Sequence, residues 1–179
     1  EAVAMAPTVL ALDPGVKFCG WAVLQTPERL AASGTLIPRS HLRGTDRLLW
    51  LLSRVQDLLQ EWHPQVLAYE SFVWFDDKQG TQYVEGRAAM CEFIGGIQCL
   101  SLMPPHPVLM WLHPADWGQA LVGQRSHTKE QVAWAVNARL GTSYNGGHQT
   151  NHESDATGIA LVAQDRLLYR TSIEAHPRA

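Results

Sequence analysis

Two carboxylates stand where apolar, strand-forming runs end. Asp13 follows the run TVLAL and opens Asp13-Pro14-Gly15, and Glu70 follows VLAY. Burying a lone carboxylate is expensive, so an acid in such a place sits at the rim of the core or faces a partner. Two strands each delivering an acid at the same end would bring the pair together. His152 and Asp155 form a third element. They are spaced i, i+3 and share one helix face, which Ile159 continues toward the core. Three carboxylates and one imidazole make an oxygen-rich set suited to a hard cation, Mg²⁺ or Mn²⁺. Plainer explanations exist for each part. Asp-Pro-Gly is a routine turn, and Glu70 can simply face water. Acids in a first helical turn also suit the helix dipole. Glu153 and Ser154, turned about 100° and 200° from His152, fit that explanation better. His148-x-x-x-His152 has a zinc-like interval but lies on a glycine-rich loop, which makes it a weak zinc site.

The elements that must position these groups can be read along the chain. Residues 8–12 read as a central strand buried on both faces. Residues 18–24 and 31–37 read as further strands, the opening being antiparallel. Thr45 or Asp46 is expected to cap a helix. In it Leu48, Leu52, Val55, Leu59 and Trp62 recur at helical spacing until Pro64. A strand over 66–69 leads into Glu70, and a helix is expected over about 83–102. A fifth strand covers 108–112. Thr128-x-x-Gln131 is a capping box opening a helix that stops at Gly141. Residues 144–150 are a polar loop, and Asn151 is expected to cap a last helix to about Tyr169. The series is three strands, helix, strand, helix, strand, helix, helix. It implies an α/β fold, a mixed sheet covered on both faces by helices.

The 179 residues, 46% apolar and 17% charged, describe one globular domain over 6–170. Residues 1–5 read as an extraneous or disordered N-terminus, with Met5 the natural start, and 171–179 as a C-terminal tail. The three cysteines are odd in number and lack a C-x-x-C pair. That argues against a disulfide scaffold or a four-cysteine zinc site and fits a reducing cytoplasm. Apolar runs fall short of the ~20 residues of a membrane span. The net charge of −3 gives no global basic field. Any nucleic-acid affinity must therefore come from local patches such as Lys129, Arg125 and Arg87. Arginines 39, 43, 47 and 54 cluster near the first helix.

Four segments, in order and spanning about 150 residues, resemble the RuvC-type Holliday junction resolvases. LALDPGVKFCGWAVL resembles that family's opening, with Gly20-Trp21 as its Gly-aromatic pair. AYESFVW resembles its second acidic segment, SHTKEQVAWAV its lysine-bearing helix start, and HESDATGIAL its final motif. The resemblance implies an RNase H-like fold, a five-stranded mixed sheet flanked by helices on both faces, acting as a homodimer. It implies two Mg²⁺ or Mn²⁺ ions held by Asp13, Glu70, His152 and Asp155, with Lys129 beside the scissile phosphate. Phe72, Val73 and Trp74 fall on the family's DNA-contact segment. Paired symmetric nicks in a four-way junction, leaving 5′-phosphate and 3′-hydroxyl ends, would follow, with branch-migration machinery as a partner. The chain departs from the pattern in three places. His152 stands where many members carry aspartate. The family's second lysine is replaced in the Trp117-Gly118 stretch, with Arg125 as a candidate substitute. The chain is also acidic where members are often basic. A branched-DNA nuclease acting on forks and flaps keeps the same fold. An actin-like sugar kinase would need a second Asp-x-Gly half that is absent. A non-catalytic junction binder would be expected to have a broken acidic set.

Overall fold

The computed structural model describes residues 7–25, 28–71, 82–145 and 150–175. Within them a five-stranded sheet has the order β3-β2-β1-β4-β5. The central strand β1 (Val9–Asp13) runs antiparallel to β2 (Cys19–Gln25), pairing Leu12 with Trp21. β2 in turn pairs antiparallel with β3 (Arg29–Leu36). On its other side β1 runs parallel to β4 (Val66–Glu70), pairing Leu12 with Tyr69, and β4 runs parallel to β5 (Val108–Leu112).

Successive side chains of a strand point to opposite faces. Val9, Ala11, Val66 and Ala68 therefore lie in one core, and Leu10, Leu12, Leu67 and Tyr69 lie in another. Helices α1 (Gly44–Trp62) and α2 (Gln82–Leu100) close the second core. Helices α3 (Pro114–Val122), α4 (Lys129–Leu140) and α5 (Thr150–Ala175) close the first. Being buried on both faces is why β1 and β4 read as unbroken apolar runs rather than as alternating ones. The same alternation carries Asp13 and Glu70 to the α5 side, as the next members of Val9-Ala11 and Val66-Ala68.

The capping box at Thr128 and Gln131 forms as its spacing implies, and Gly141 closes α4 at φ +66°. Other local expectations need correction. α1 starts at Gly44 with Arg43 as a cap that makes no side-chain bond, so Thr45 and Asp46 lie inside the first turn. The α1 stripe is centred on Leu48, Leu51, Val55, Leu58 and Leu59, with Leu52 only half-buried. Asn151 is likewise a helical residue, because α5 begins at Thr150. α5 continues to Ala175, so the first part of the expected tail over 171–179 is helix. The structure adds a short helix, α3, that the sequence pattern does not predict. Its signals are present: His113 accepts from the Ala115 amide, Pro114 takes the first position and Gly123 closes it in the left-handed region. Cys19, Cys91 and Cys99 are all free thiols. No described helix is long and apolar enough to cross a membrane.

Candidate active site

The ends of β1 and β4 are neighbours in a parallel ladder, so Asp13 and Glu70 emerge side by side. α5 crosses the same face. Gly20 on β2 makes that approach possible, because a Cβ there would collide with the His152 carbonyl. The start of α5 then lays His152 and Asp155 over the strand ends. His152 Nδ1 lies 2.7 Å from Asp13 Oδ2. With the carboxylate accepting, Nδ1 carries the proton and Nε2 is the ring's remaining nitrogen. Phe18, from the β1–β2 connection, stacks on the His152 ring at 5.6 Å. Ser154 is fully buried and donates to the Asn151 carbonyl, so it is no surface decoration.

Lys129, the first residue of α4, places its ammonium on Asp155 Oδ2. Asp155 is almost completely buried, and its Oδ1 has no partner. Glu70 is held from α3, where the Trp117 indole N–H donates to its Oε2 at 2.6 Å. The Trp117 ring leans on His127 at 4.9 Å. Gly118 leaves room for that imidazole, which a Cβ would strike.

Electrostatics follows from this crowding. Burial first, and then the Asp13 charge, pushes Glu70 up to about 7. The same two causes push Asp155 up to about 6, despite Lys129. Burial works against the Lys129 ammonium, but Asp155, Asp13 and Glu70 outweigh it and raise its pKa. The hydrogen bond to Asp13 raises His152 against its own burial. The cluster is thus rich in carboxylates with too little positive charge facing them. Among the described residues no three such side chains close on one point as a ready-made metal cage. Instead they pair with one another, His152 with Asp13 and Lys129 with Asp155.

The matching family model, crossover junction endodeoxyribonuclease RuvC, covers residues 9–163. This chain belongs to the RuvC family. The RuvC of Anaplasma phagocytophilum is 29% identical over 158 residues, 86% of this chain and 91% of that protein. That of Akkermansia muciniphila is 28% identical over 173 residues, 94% and 95% of the two chains. Among solved structures, Thermus thermophilus RuvC in complex with Holliday junction substrate matches with a TM-score of 0.73 at 22% identity. That match covers 93% of this chain and 96% of the other. The fold is accordingly the RNase H-like one of RuvC.

The five residues that the RuvC resemblance assigns to the site, Asp13, Glu70, His152, Asp155 and Lys129, converge on one end of the sheet. Phe72, Val73 and Trp74 lie outside the described residues. Arg125, in the α3–α4 connection, points to Asp116 at 3.7 Å. Arg87 is on α2, which covers the opposite face of the sheet from α5. The site contacts not anticipated from sequence are Trp117 on Glu70 and Phe18 on His152. The first had a partial signal in the Pro114 and Gly123 limits of α3. The second had none, because 134 residues separate the two rings in the chain.

Proposed function

We propose that this chain resolves four-way DNA junctions by metal-dependent phosphodiester hydrolysis. Asp13, Glu70, His152 and Asp155 would hold two Mg²⁺ or Mn²⁺ ions, with Lys129 beside the scissile phosphate. The observation that carries this reading is the uncompensated carboxylate cluster. Glu70 and Asp155 are raised to about 7 and about 6, and a buried Asp155 oxygen lacks any partner. Oxygen donors with one imidazole suit a hard divalent cation, so the residues fit the group. Bound there, the metal would activate the attacking water and take up charge on the leaving oxygen.

The chain's own residues supply the rest. Trp117 fixes the Glu70 carboxylate through Oε2 and leaves Oε1 for the site. His152 donates from Nδ1 to Asp13 and is itself braced by Phe18. Lys129 stays charged next to three carboxylates and provides a fixed cation for charge developing on the phosphate. Symmetric nicking needs two such sites, which a two-fold dimer provides. The surface around edge strand β5 supports one. Trp111 and Val108 are more than half exposed there, and a cavity of about 360 Å³ opens between Trp111 and Cys91, Gly95 and Gln98 of α2.

The deciding experiment offers the protein labelled four-way junction, fork, flap and linear duplex in Mg²⁺, in Mn²⁺ and in chelator. Paired nicks at symmetric positions of the junction, with 5′-phosphate ends and only when metal is present, are expected. Equal cleavage of flaps and forks would replace this reading with a general branched-DNA nuclease. Absence of cleavage in every metal would end the nuclease reading.

A further inference from the structure

We propose that the DNA arm beside the scissile bond is gripped by a basic cleft built from Lys17, Arg43 and Arg47. The inference rests on the nuclease reading above and names how that site holds its substrate. The cleft joins three pieces of chain. Lys17 comes from the β1–β2 connection, Ser40 and Arg43 from the β3–α1 connection, and Arg47 from the first turn of α1. With Phe18, Ile37 and Pro38 they line a cavity of about 300 Å³. Residues 37–47 contain three arginines and a histidine against one acid, Asp46.

These cations keep different company from four others in the molecule. Arg54, Arg125, Lys129 and Arg139 each meet a carboxylate. Arg47 instead donates twice to the Leu42 carbonyl, at 3.2 and 2.9 Å. Arg43 donates to the Ser40 carbonyl and, at 3.1 Å, to that of Leu42. Carbonyls orient a guanidinium without neutralising it. Among the described residues no carboxylate pairs with Lys17, Arg43 or Arg47, so the cleft keeps its positive charge on a chain of net charge −3.

Position identifies the anion. Phe18 is a wall of this cleft and also stacks on His152, which contacts Asp13. The cleft therefore begins one ring away from the carboxylate cluster. A duplex carries a phosphate about every 3.4 Å of axis on each strand. A strand with one phosphate at Asp13 must set its neighbours down nearby, and this is an adjoining surface where they meet uncompensated cations.

The test is binding of a labelled four-way junction in chelator, over a salt series, by wild type, Lys17→Gln, Lys17→Gln/Arg43→Gln, Lys17→Arg and Arg54→Gln. Each lost phosphate contact reduces the slope of log affinity against log salt by about 0.9. The expected result is a slope lower by about one for Lys17→Gln and by about two for the double variant. Lys17→Arg should keep the wild-type slope. Arg54→Gln, which loses a surface pair with Asp57 and the guanidinium's place over the Trp50 ring, should match wild type in slope and cleavage. Wild-type slopes in both glutamine variants would overturn the cleft. So would an affinity loss with unchanged slope, or with a lowered melting temperature that Lys17→Arg does not repair. Those failures leave the nuclease reading standing if wild type still cuts junctions. A wild type that neither binds nor cuts them removes both.

Discussion

The helices α4 and α5 are tied together by charge at two places, and the two ties are built on the same interval. Lys129 meets Asp155 and, ten residues further along each helix, Arg139 meets Asp165. The helices thus run side by side in the same direction. At the far tie every group is served. Arg139 grips Asp165 with two nitrogens at 2.9 and 3.0 Å and also reaches Glu28. Both carboxylates are about half exposed, and the Asp165 bonds help hold the guanidinium firmly charged. At the near tie one exposed ammonium meets a buried carboxylate whose second oxygen is orphaned, and two more acids crowd in. The first arrangement is a modest structural clamp of the kind exposed ion pairs make. The second is electrostatically unfinished, which is what a site for an added cation requires. On the proposed reading, the same helix pair separates a structural tie from a catalytic one along its length.

The sharpest way to break this contrast is Asp13→Asn. It removes the charge that pushes both Glu70 and Asp155 upward. Cleavage of a four-way junction should fall by roughly a hundredfold or more, as when a charge-stabilising group is lost from an active site. Junction affinity should hold or rise, and the melting temperature in chelator should not fall. Unchanged cleavage would show that the acidic end is decorative.

Trp117→Phe probes how the near cluster is held. It keeps the ring against His127 but loses the N–H that fixes Glu70 Oε2. Mn²⁺ affinity, read by titration calorimetry without DNA, should drop by about tenfold, the scale seen when a ligand loses its supporting partner. An unchanged affinity would make the indole a packing residue only.

The pH dependence of stability should distinguish the two ends. Glu70 and Asp155 are raised, so the folded chain binds protons more tightly than the unfolded one. Their stabilisation is present below their ordinary values near 4 and is lost as pH rises through about 6 to 7. In chelator, Glu70→Gln should match wild type near pH 4.5 and melt higher than wild type at pH 8. Added Mn²⁺ should raise the wild-type melting temperature more at pH 8 than at pH 5. Parallel melting curves for the two proteins across this range would contradict the crowding.

The smallest effect belongs to the far tie. Arg139→Gln leaves Asp165 and Glu28 able to turn to water, so the loss is about 1 kcal/mol. That corresponds to roughly 2–4 °C in a domain of this size. Junction cleavage at saturating Mg²⁺ should match wild type. A tenfold loss of cleavage would mean that the two ties are not independent.

Much of this architecture is legible in the sequence. The unbroken runs at β1 and β4, the Thr128–Gln131 box and the i, i+3 spacing of His152 and Asp155 are local patterns. Each is enforced by burial, backbone satisfaction or helix geometry within a few residues. Chain order and type of residue were enough to suggest that Asp13, Glu70, His152 and Asp155 belong together. The α3 helix escapes the periodic pattern although its limits at Pro114 and Gly123 are written in the sequence, because nine residues give a short periodic signal. The sequence pattern places the α1 cap two or three residues late and puts Asn151 before α5 rather than inside it, as fraying ends allow.

What the chain alone could not tell is who touches whom inside the cluster. Trp117 and Glu70 are 47 residues apart, and Asp13 and His152 are 139 apart. No local propensity records such a meeting. It arises because the pleat turns Asp13 and Glu70 to one face, Gly20 admits α5 over the strand ends and α4 lies in step beside α5. The lone oxygen of Asp155 is likewise a product of packing, since a carboxylate is an ordinary residue until its surroundings withdraw water from one side. Residue types set which chemistry was available, and tertiary structure decided which groups were satisfied and which were left wanting a cation.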